Sequence, residues 1–104
     1  MRAIRRLDDT TDFPPTSEAL EYPNGLLAVG GKLTPERLLG AYRRGIFPWY
    51  ASPQPVLWWT PDPRSVLFPR ELHVSRSLRR TLRADAFHLA VDQQFKTVMQ
   101  ACAE

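Results

Sequence analysis

Ten prolines, all between Pro14 and Pro69, set the strongest limit on what this chain can fold into. Proline holds φ near −65° and has no backbone N–H, so it ends helices and stays out of central strands. Its share here is about twice the usual roughly 5%. Four prolines fall within Pro53–Pro63, which forbids a long helix there, whereas the 35 residues after Pro69 contain none. The composition thus divides the chain into a proline-punctuated, aromatic first part and a more regular second part. With 104 residues, this is one small domain or one domain plus the start of a second. A globule of that size buries about 65% of its unfolded-chain surface. The 43% of apolar residues suffice for a core and argue against a disordered chain.

Further exclusions follow from what the chain lacks. No run approaches the roughly 18 apolar residues of a membrane span. The first nine residues turn polar at once and contain no signal-peptide apolar stretch. A single cysteine, Cys102, excludes an internal disulfide framework and a Cys-rich zinc site. His73 and His88 are the only histidines, so no structural metal is expected, and a reducing cytoplasm fits.

Local signals place the elements. Ala3–Leu7 reads as a short strand, and residues 17–21 as one helical turn. Tyr22-Pro23-Asn24-Gly25 is a turn signature, because Asn-Gly tolerates positive φ. Leu26–Val29 is a short buried run closed by Gly30-Gly31. Thr34-Pro35-Glu36-Arg37 starts a helix: threonine caps, proline takes the first helical position, and the acid suits the positive end of the dipole. Leu38, Leu39, Ala41 and Tyr42 form its apolar face, and Gly45 ends it. Val56–Thr60 and Ser65–Phe68 read as strands. Ser75 caps a helix over Arg76–Arg83, Phe87–Val91 reads as a strand, and Asp92 as the cap of a last helix. On that helix Phe95, Val98, Met99 and Cys102 form an i, i+3, i+4, i+7 stripe with no cap signal after it. The chain stops two residues after this stripe, so a truncated protein or an excised domain is expected.

Two constellations can carry chemistry. Trp49, Trp58 and Trp59 lie within eleven residues, with Phe47 and Tyr50 beside them. One reading is a small core of bulky rings. The other is a cleft wall on which a base stacks. Consecutive tryptophans on a strand point to opposite faces, so one of Trp58 and Trp59 faces inward and the other is free to line a cleft. The second constellation is Arg76, Arg79, Arg80 and Arg83, one stripe of a helix, with Leu78 and Leu82 on another face. From Arg64 to Arg83 six arginines face one acid, Glu71, a net +5 against +3 for the whole chain. The stripe is either a solvated face or a phosphate-contacting one, since the guanidinium fork suits phosphate and RNA. His73, His88 and Cys102 stand at no catalytic or metal-ligand spacing. Gly30-Gly31 lacks the rest of a nucleotide loop, and Asp62 and Arg64 read as a local turn pair.

Four strings resemble the N-terminal part of the leucyl/phenylalanyl-tRNA–protein transferase family. They are Pro23-Asn24-Gly25-Leu26-Leu27-Ala28-Val29-Gly30-Gly31, then Leu38-Leu39-Gly40-Ala41-Tyr42-Arg43-Arg44-Gly45-Ile46-Phe47-Pro48-Trp49-Tyr50, then Leu57-Trp58-Trp59-Thr60-Pro61-Asp62-Pro63-Arg64, and Leu72-His73-Val74-Ser75-Arg76-Ser77-Leu78-Arg79. They run in the family's order from Phe13 onward. Tyr22, Lys32 and Thr60 depart from its common residues.

The resemblance implies a cytoplasmic aminoacyltransferase of the N-end degradation pathway. Such an enzyme moves Leu or Phe from aminoacyl-tRNA to an acceptor protein beginning with Lys or Arg. The ester is already activated, so no ATP, metal or organic cofactor is implied. It further implies an aminoacyl-adenosine pocket involving Trp49, with Tyr42, Trp58 and Trp59 as further candidates. Arg76, Arg79, Arg80 and Arg83 correspond to a tRNA-binding cluster, and the catalytic residues are expected beyond Glu104. The expected fold is α+β: a proline- and aromatic-rich domain over residues 1–62, then over residues 63–104 the incomplete start of an acetyltransferase-like (GNAT-like) α/β domain. No oligomer and no membrane association is expected, and the 104 residues alone are expected to lack transferase activity. Two rival classes remain at this level: a non-enzymatic tRNA- or RNA-binding module, and a protein-interaction module with exposed tryptophans.

Overall fold

The computed structural model describes residues 3–104. The described residues are mixed α and β, with one four-stranded sheet and three α-helices. It divides into two compact units, Met1–Ser65 and Val66–Glu104. No helix among the described residues is long and apolar enough to cross a membrane.

The first unit is built on the sheet. Its strands are β1 (Arg5–Leu7), β2 (Leu26–Gly30), β3 (Phe47–Pro48) and β4 (Leu57–Trp59), in the spatial order β1-β2-β4-β3. β1 runs parallel to β2, and the other two pairings are antiparallel. Leu26, Leu27 and Ala28 are buried in succession, which suits an inner strand covered on both faces. Between β2 and β4 the register steps from Leu26 opposite Trp59 to Ala28 opposite Trp58, so two residues of β2 face one of β4. That bulge lets a strand with no alternation pair with one that alternates.

Helix α1 (Pro35–Arg43) forms where its caps predict. The Thr34 hydroxyl accepts the Arg37 N–H at 3.2 Å, and Pro35 takes the first turn. Its faces differ from the sequence pattern. Ala41 is fully buried and Leu38 packs on the core, but Leu39 and Tyr42 are exposed. The buried cluster is small: Leu7, Phe13, Leu27, Ala28, Ala41, Ile46 and Trp58. Of this short helix only Ala41 enters the cluster and Leu38 packs against it, and the other two apolar positions are left outside. The leading segment is held to α1 by arginines. Arg37 donates to the carbonyls of Asp8 (2.7 Å) and Thr11 (2.6 Å) and lies over the Phe13 ring, and Arg44 donates to Pro14 O at 2.7 Å.

The turn Tyr22–Gly25 docks against the chain after β4. Gly25 has φ +91°, its carbonyl accepts the Thr60 N–H at 2.7 Å, and a Cβ there would sit 2.5 Å from the Pro61 backbone. Only glycine meets both demands.

The second unit contains a 3₁₀ turn at Pro69–Glu71, helix α2 (Arg76–Arg83) and helix α3 (Phe95–Ala103). Ser75 caps α2 by accepting the Leu78 N–H at 3.2 Å. Within this unit Val74 alone is half-buried and every other residue is exposed. The two strands expected here, Ser65–Phe68 and Phe87–Val91, are irregular chain. Their β-rich composition finds no neighbouring strand in the unit to complete a ladder. Asp92 does not cap α3. It adopts φ +57°, as Asp85 adopts +52°, whereas a capping residue needs extended backbone. Gln94 takes the cap position and makes no side-chain cap bond.

Candidate functional site

The aromatic string resolves into an inside and an outside. Trp58 is the inward tryptophan. It is 0% exposed, its indole N–H donates to Gly30 O at 2.9 Å, and Phe13 meets it edge-on with ring centroids 4.9 Å apart. A side chain closed in on all sides has no face to offer a ligand, so Trp58 drops out of the candidate pocket wall and becomes the centre of the core. The opposite side of β4 carries Trp59, which is half-buried.

Trp49 is 74% exposed. Its backbone is nonetheless held on both sides by β4 and the residue that ends it. The Trp49 N–H donates to Leu57 O at 3.0 Å, and the Trp49 carbonyl accepts the Trp59 indole N–H at 2.8 Å. Upstream, Arg64 donates to Gly45 O at 2.8 Å and its guanidinium lies 5.0 Å from the centre of the Phe47 ring. The segment Gly45–Trp49 is therefore pinned at both ends while its last side chain projects into solvent. Tyr42, on α1, is 63% exposed, and α1 packs against β3, the strand that leads into Trp49. Neither the Trp59 bond nor the Arg64 brace was foreseen. Arg64 does not pair with Asp62 as the turn reading had it, and the Asp62 N–H instead donates to Asn24 Oδ1 at 3.3 Å.

In the second unit α2 presents Arg76, Arg79, Arg80 and Arg83 at helical spacing, all exposed. Among the described residues, no side chain of these four takes part in a hydrogen bond or ion pair. The ion pairs among the described residues are Arg5–Glu18, Lys32–Asp9 and Arg44–Asp12, all in the first unit. The first turn of α2 carries no acid to offset the stripe. Chemically, an unpaired row of guanidinium forks is suited to a row of phosphates, and an exposed, anchored indole to a base or an apolar side chain.

The hollow of about 500 Å³ on the first unit is bordered by Glu21, Asn24, Thr60 and Asp62, and by none of the site residues predicted from sequence. Asp8, the one strongly perturbed carboxylate among the described residues, also lies apart. It accepts from the Thr11 hydroxyl and from the backbone and hydroxyl of Thr10, and these donors hold it well below the usual carboxylate range. Among the described residues no group of three or more His, Cys, Asp or Glu could hold a metal ion.

A family model described as leucyl/phenylalanyl-tRNA protein transferase N-terminal domain matches residues 31–62, and one described as leucyl/phenylalanyl-tRNA protein transferase matches residues 66–104. Curated proteins named leucyl/phenylalanyl-tRNA–protein transferase are similar over nearly the whole chain. The one from Azotobacter vinelandii is 63% identical over 95 residues, covering 91% of this chain and 42% of that protein. That from Pseudomonas aeruginosa is 61% identical over 92 residues (88% and 41%), and that from Nitrosomonas europaea 58% over 100 residues (96% and 42%). The chain spans about two fifths of the length of the curated relatives it matches.

Proposed function

The chain belongs to the leucyl/phenylalanyl-tRNA–protein transferase family, and from that premise we propose that it supplies the donor-side platform of such an enzyme. The proposed activity moves Leu or Phe from aminoacyl-tRNA to the N-terminal Lys or Arg of an acceptor protein in the cytoplasm, which marks that protein for degradation. In this reading residues 1–62 are the N-terminal domain, and residues 63–104 open an acetyltransferase-like α/β domain. The two family matches cover residues 31–62 and 66–104, and the break between them supports reading a boundary there.

The observation that carries the proposal is the exposure of the Trp49 indole on a backbone fixed at both its N–H and its carbonyl. With the backbone of Trp49 already held, a ring that stacks on its indole does not also have to order the main chain. In our reading Trp49 takes the terminal adenosine or the aminoacyl side chain, Tyr42 borders the same site, and the α2 arginines hold acceptor-stem phosphates. The reaction is aminolysis of an ester. The neutral N-terminal amine attacks the ester carbonyl, the C–N bond forms, the C–O bond to the ribose breaks, and the amine proton ends on the released ribose hydroxyl. Positioning two bound substrates contributes up to about 7–11 kcal/mol to such a step, and donors aimed at the developing oxyanion contribute further. Aromatic rings and arginines perform the positioning without titrating, and the groups that move the proton are assigned to none of these residues.

The test is Trp49→Ala in the full-length enzyme, with the Kd of a phenylalanyl-adenosine analogue as the readout. Loss of one base–aromatic stack is worth about 1–3 kcal/mol, or about a five- to 150-fold rise in Kd. An unchanged Kd rejects the assignment.

A further inference from the structure

Trp59 stands beside the proposed site without the exposure of Trp49, and its one side-chain hydrogen bond runs to Trp49 itself. We propose that Trp59 is a positioning residue: it acts on the donor substrate through Trp49. This rests on the reading that Trp49 contacts the aminoacyl-adenosine.

The argument is geometric. Phe47 and Pro48 pair with Trp59 and Trp58, and the β3 ladder ends there. Trp49 is the first residue past the ladder, where the chain would fray. Its N–H reaches back to Leu57 O, which fixes one side of the residue. Its carbonyl would otherwise be free to turn with ψ, carrying the peptide plane and the start of the Tyr50–Gln54 loop. The Trp59 indole N–H meets that carbonyl at 2.8 Å. Indole is a donor only, so this bond has one sense and cannot be exchanged for another at that atom. With both backbone polar groups taken up, the Trp49 Cα–Cβ vector has one direction. The contact spans ten residues and ties the Gly-Ile-Phe-Pro-Trp string to the Trp-Trp string. It gives the second tryptophan of the pair a reason to be one: a phenylalanine has a smaller ring and lacks the donor.

A double-mutant cycle in the full-length enzyme tests this, with the Kd of the phenylalanyl-adenosine analogue and the melting temperature both read. Trp59→Phe is expected to raise Kd about three- to tenfold, the span for one lost hydrogen bond. In a Trp49→Ala background the same change is expected to leave Kd within twofold, because the indole it orients is gone. If Trp59→Phe raises Kd equally in both backgrounds, Trp59 touches the ligand or supports the fold generally, and the proposal is overturned. If Trp49→Ala weakens binding while Trp59→Phe does not, the positioning role fails and the Trp49 reading survives. If Trp49→Ala has no effect, the underlying reading fails instead. Should Trp59→Phe not fold, β-(3-benzothienyl)alanine at position 59 keeps the bicyclic shape, removes the N–H, and gives the same three outcomes.

Discussion

Two tryptophans nine residues apart do opposite work, and a stability measurement separates them. Trp58 fills the centre of a core of seven buried residues, and Trp49 projects into solvent. Replacing a buried aromatic ring by alanine costs about 3–5 kcal/mol. Losing the indole donor to Gly30 O adds to this, since a hydrogen bond nets about 0.5–1.5 kcal/mol and the half-buried carbonyl is left without that partner. A unit the size of Met1–Ser65 is stable by only about 3–10 kcal/mol in total. Trp58→Ala therefore removes between about a third and all of its stability. Trp58→Phe keeps most of the ring and the contact with Phe13, and is expected to cost about 1–3 kcal/mol. Trp49→Ala removes nothing buried and is expected to stay within about 0.5 kcal/mol.

Urea unfolding followed by far-UV circular dichroism reads these differences without relying on tryptophan emission. The midpoint is expected to fall sharply for Trp58→Ala, modestly for Trp58→Phe and hardly at all for Trp49→Ala, at constant slope. Ligand affinity is expected to rank the other way, with Trp49→Ala the weakest binder and Trp58→Phe, measured well below its unfolding transition, within twofold of the parent. The reasoning is refuted if Trp49→Ala destabilises as much as Trp58→Ala. It is equally refuted if Trp58→Phe loses affinity at full stability, because a ring with no exposed surface cannot contact a ligand.

The other expectations are narrower. If each α2 arginine neutralises one phosphate, log K for tRNA falls with log salt at a slope of about −3 to −4, and Arg79→Ala or Arg80→Ala each flatten it by about 0.7–0.9. A slope near zero in a salt titration removes the RNA role of the stripe, while a steep slope with no dependence on the attached amino acid favours a plain RNA-binding module. Gly25→Ala places a Cβ against Pro61 at φ +91°, and a loss of at least about 1–2 kcal/mol in a thermal melt is expected. Thr34→Ala removes the α1 cap and is expected to cost about 0.5–2 kcal/mol, with Thr34→Ser retaining most of it. Asp8 is held below its unfolded value, so its contribution is present at neutral pH and above the unfolded carboxylate range near pH 4, and is lost as pH falls below that range. Asp8→Asn is expected to reduce the acid sensitivity of unfolding between about pH 4 and 2, a difference visible in a pH series of melts.

What could be read in the sequence was what neighbouring residues decide among themselves. Thr34-Pro35 and Ser75 mark the starts of α1 and α2 because a cap is a bond between residues three apart. Asn24-Gly25 marks a turn because positive φ is a property of one residue. The errors fall where a distant partner decides. Phe87–Val91 has strand-forming residues, yet no second strand in its unit completes a ladder, so propensity alone left it irregular. Tyr42 and Leu39 belong to the apolar pattern of α1, but the core is already filled by Ala41, Ile46 and Trp58, so both stay outside. The alternation rule stated that Trp58 and Trp59 face apart, and it could not say which faces in, because that depends on how β4 registers against β2, a separate strand with its extra residue at Leu27. The same limit hid the bond between the Trp59 indole and the Trp49 carbonyl: each string is recognisable alone, and only the sheet brings them together. The prolines mark the same boundary between local and distant causes. They excluded a helix from residues 53–63 on local grounds, and a loop free of helix is what allows β4 to return beside β3 and hold Trp49 outward.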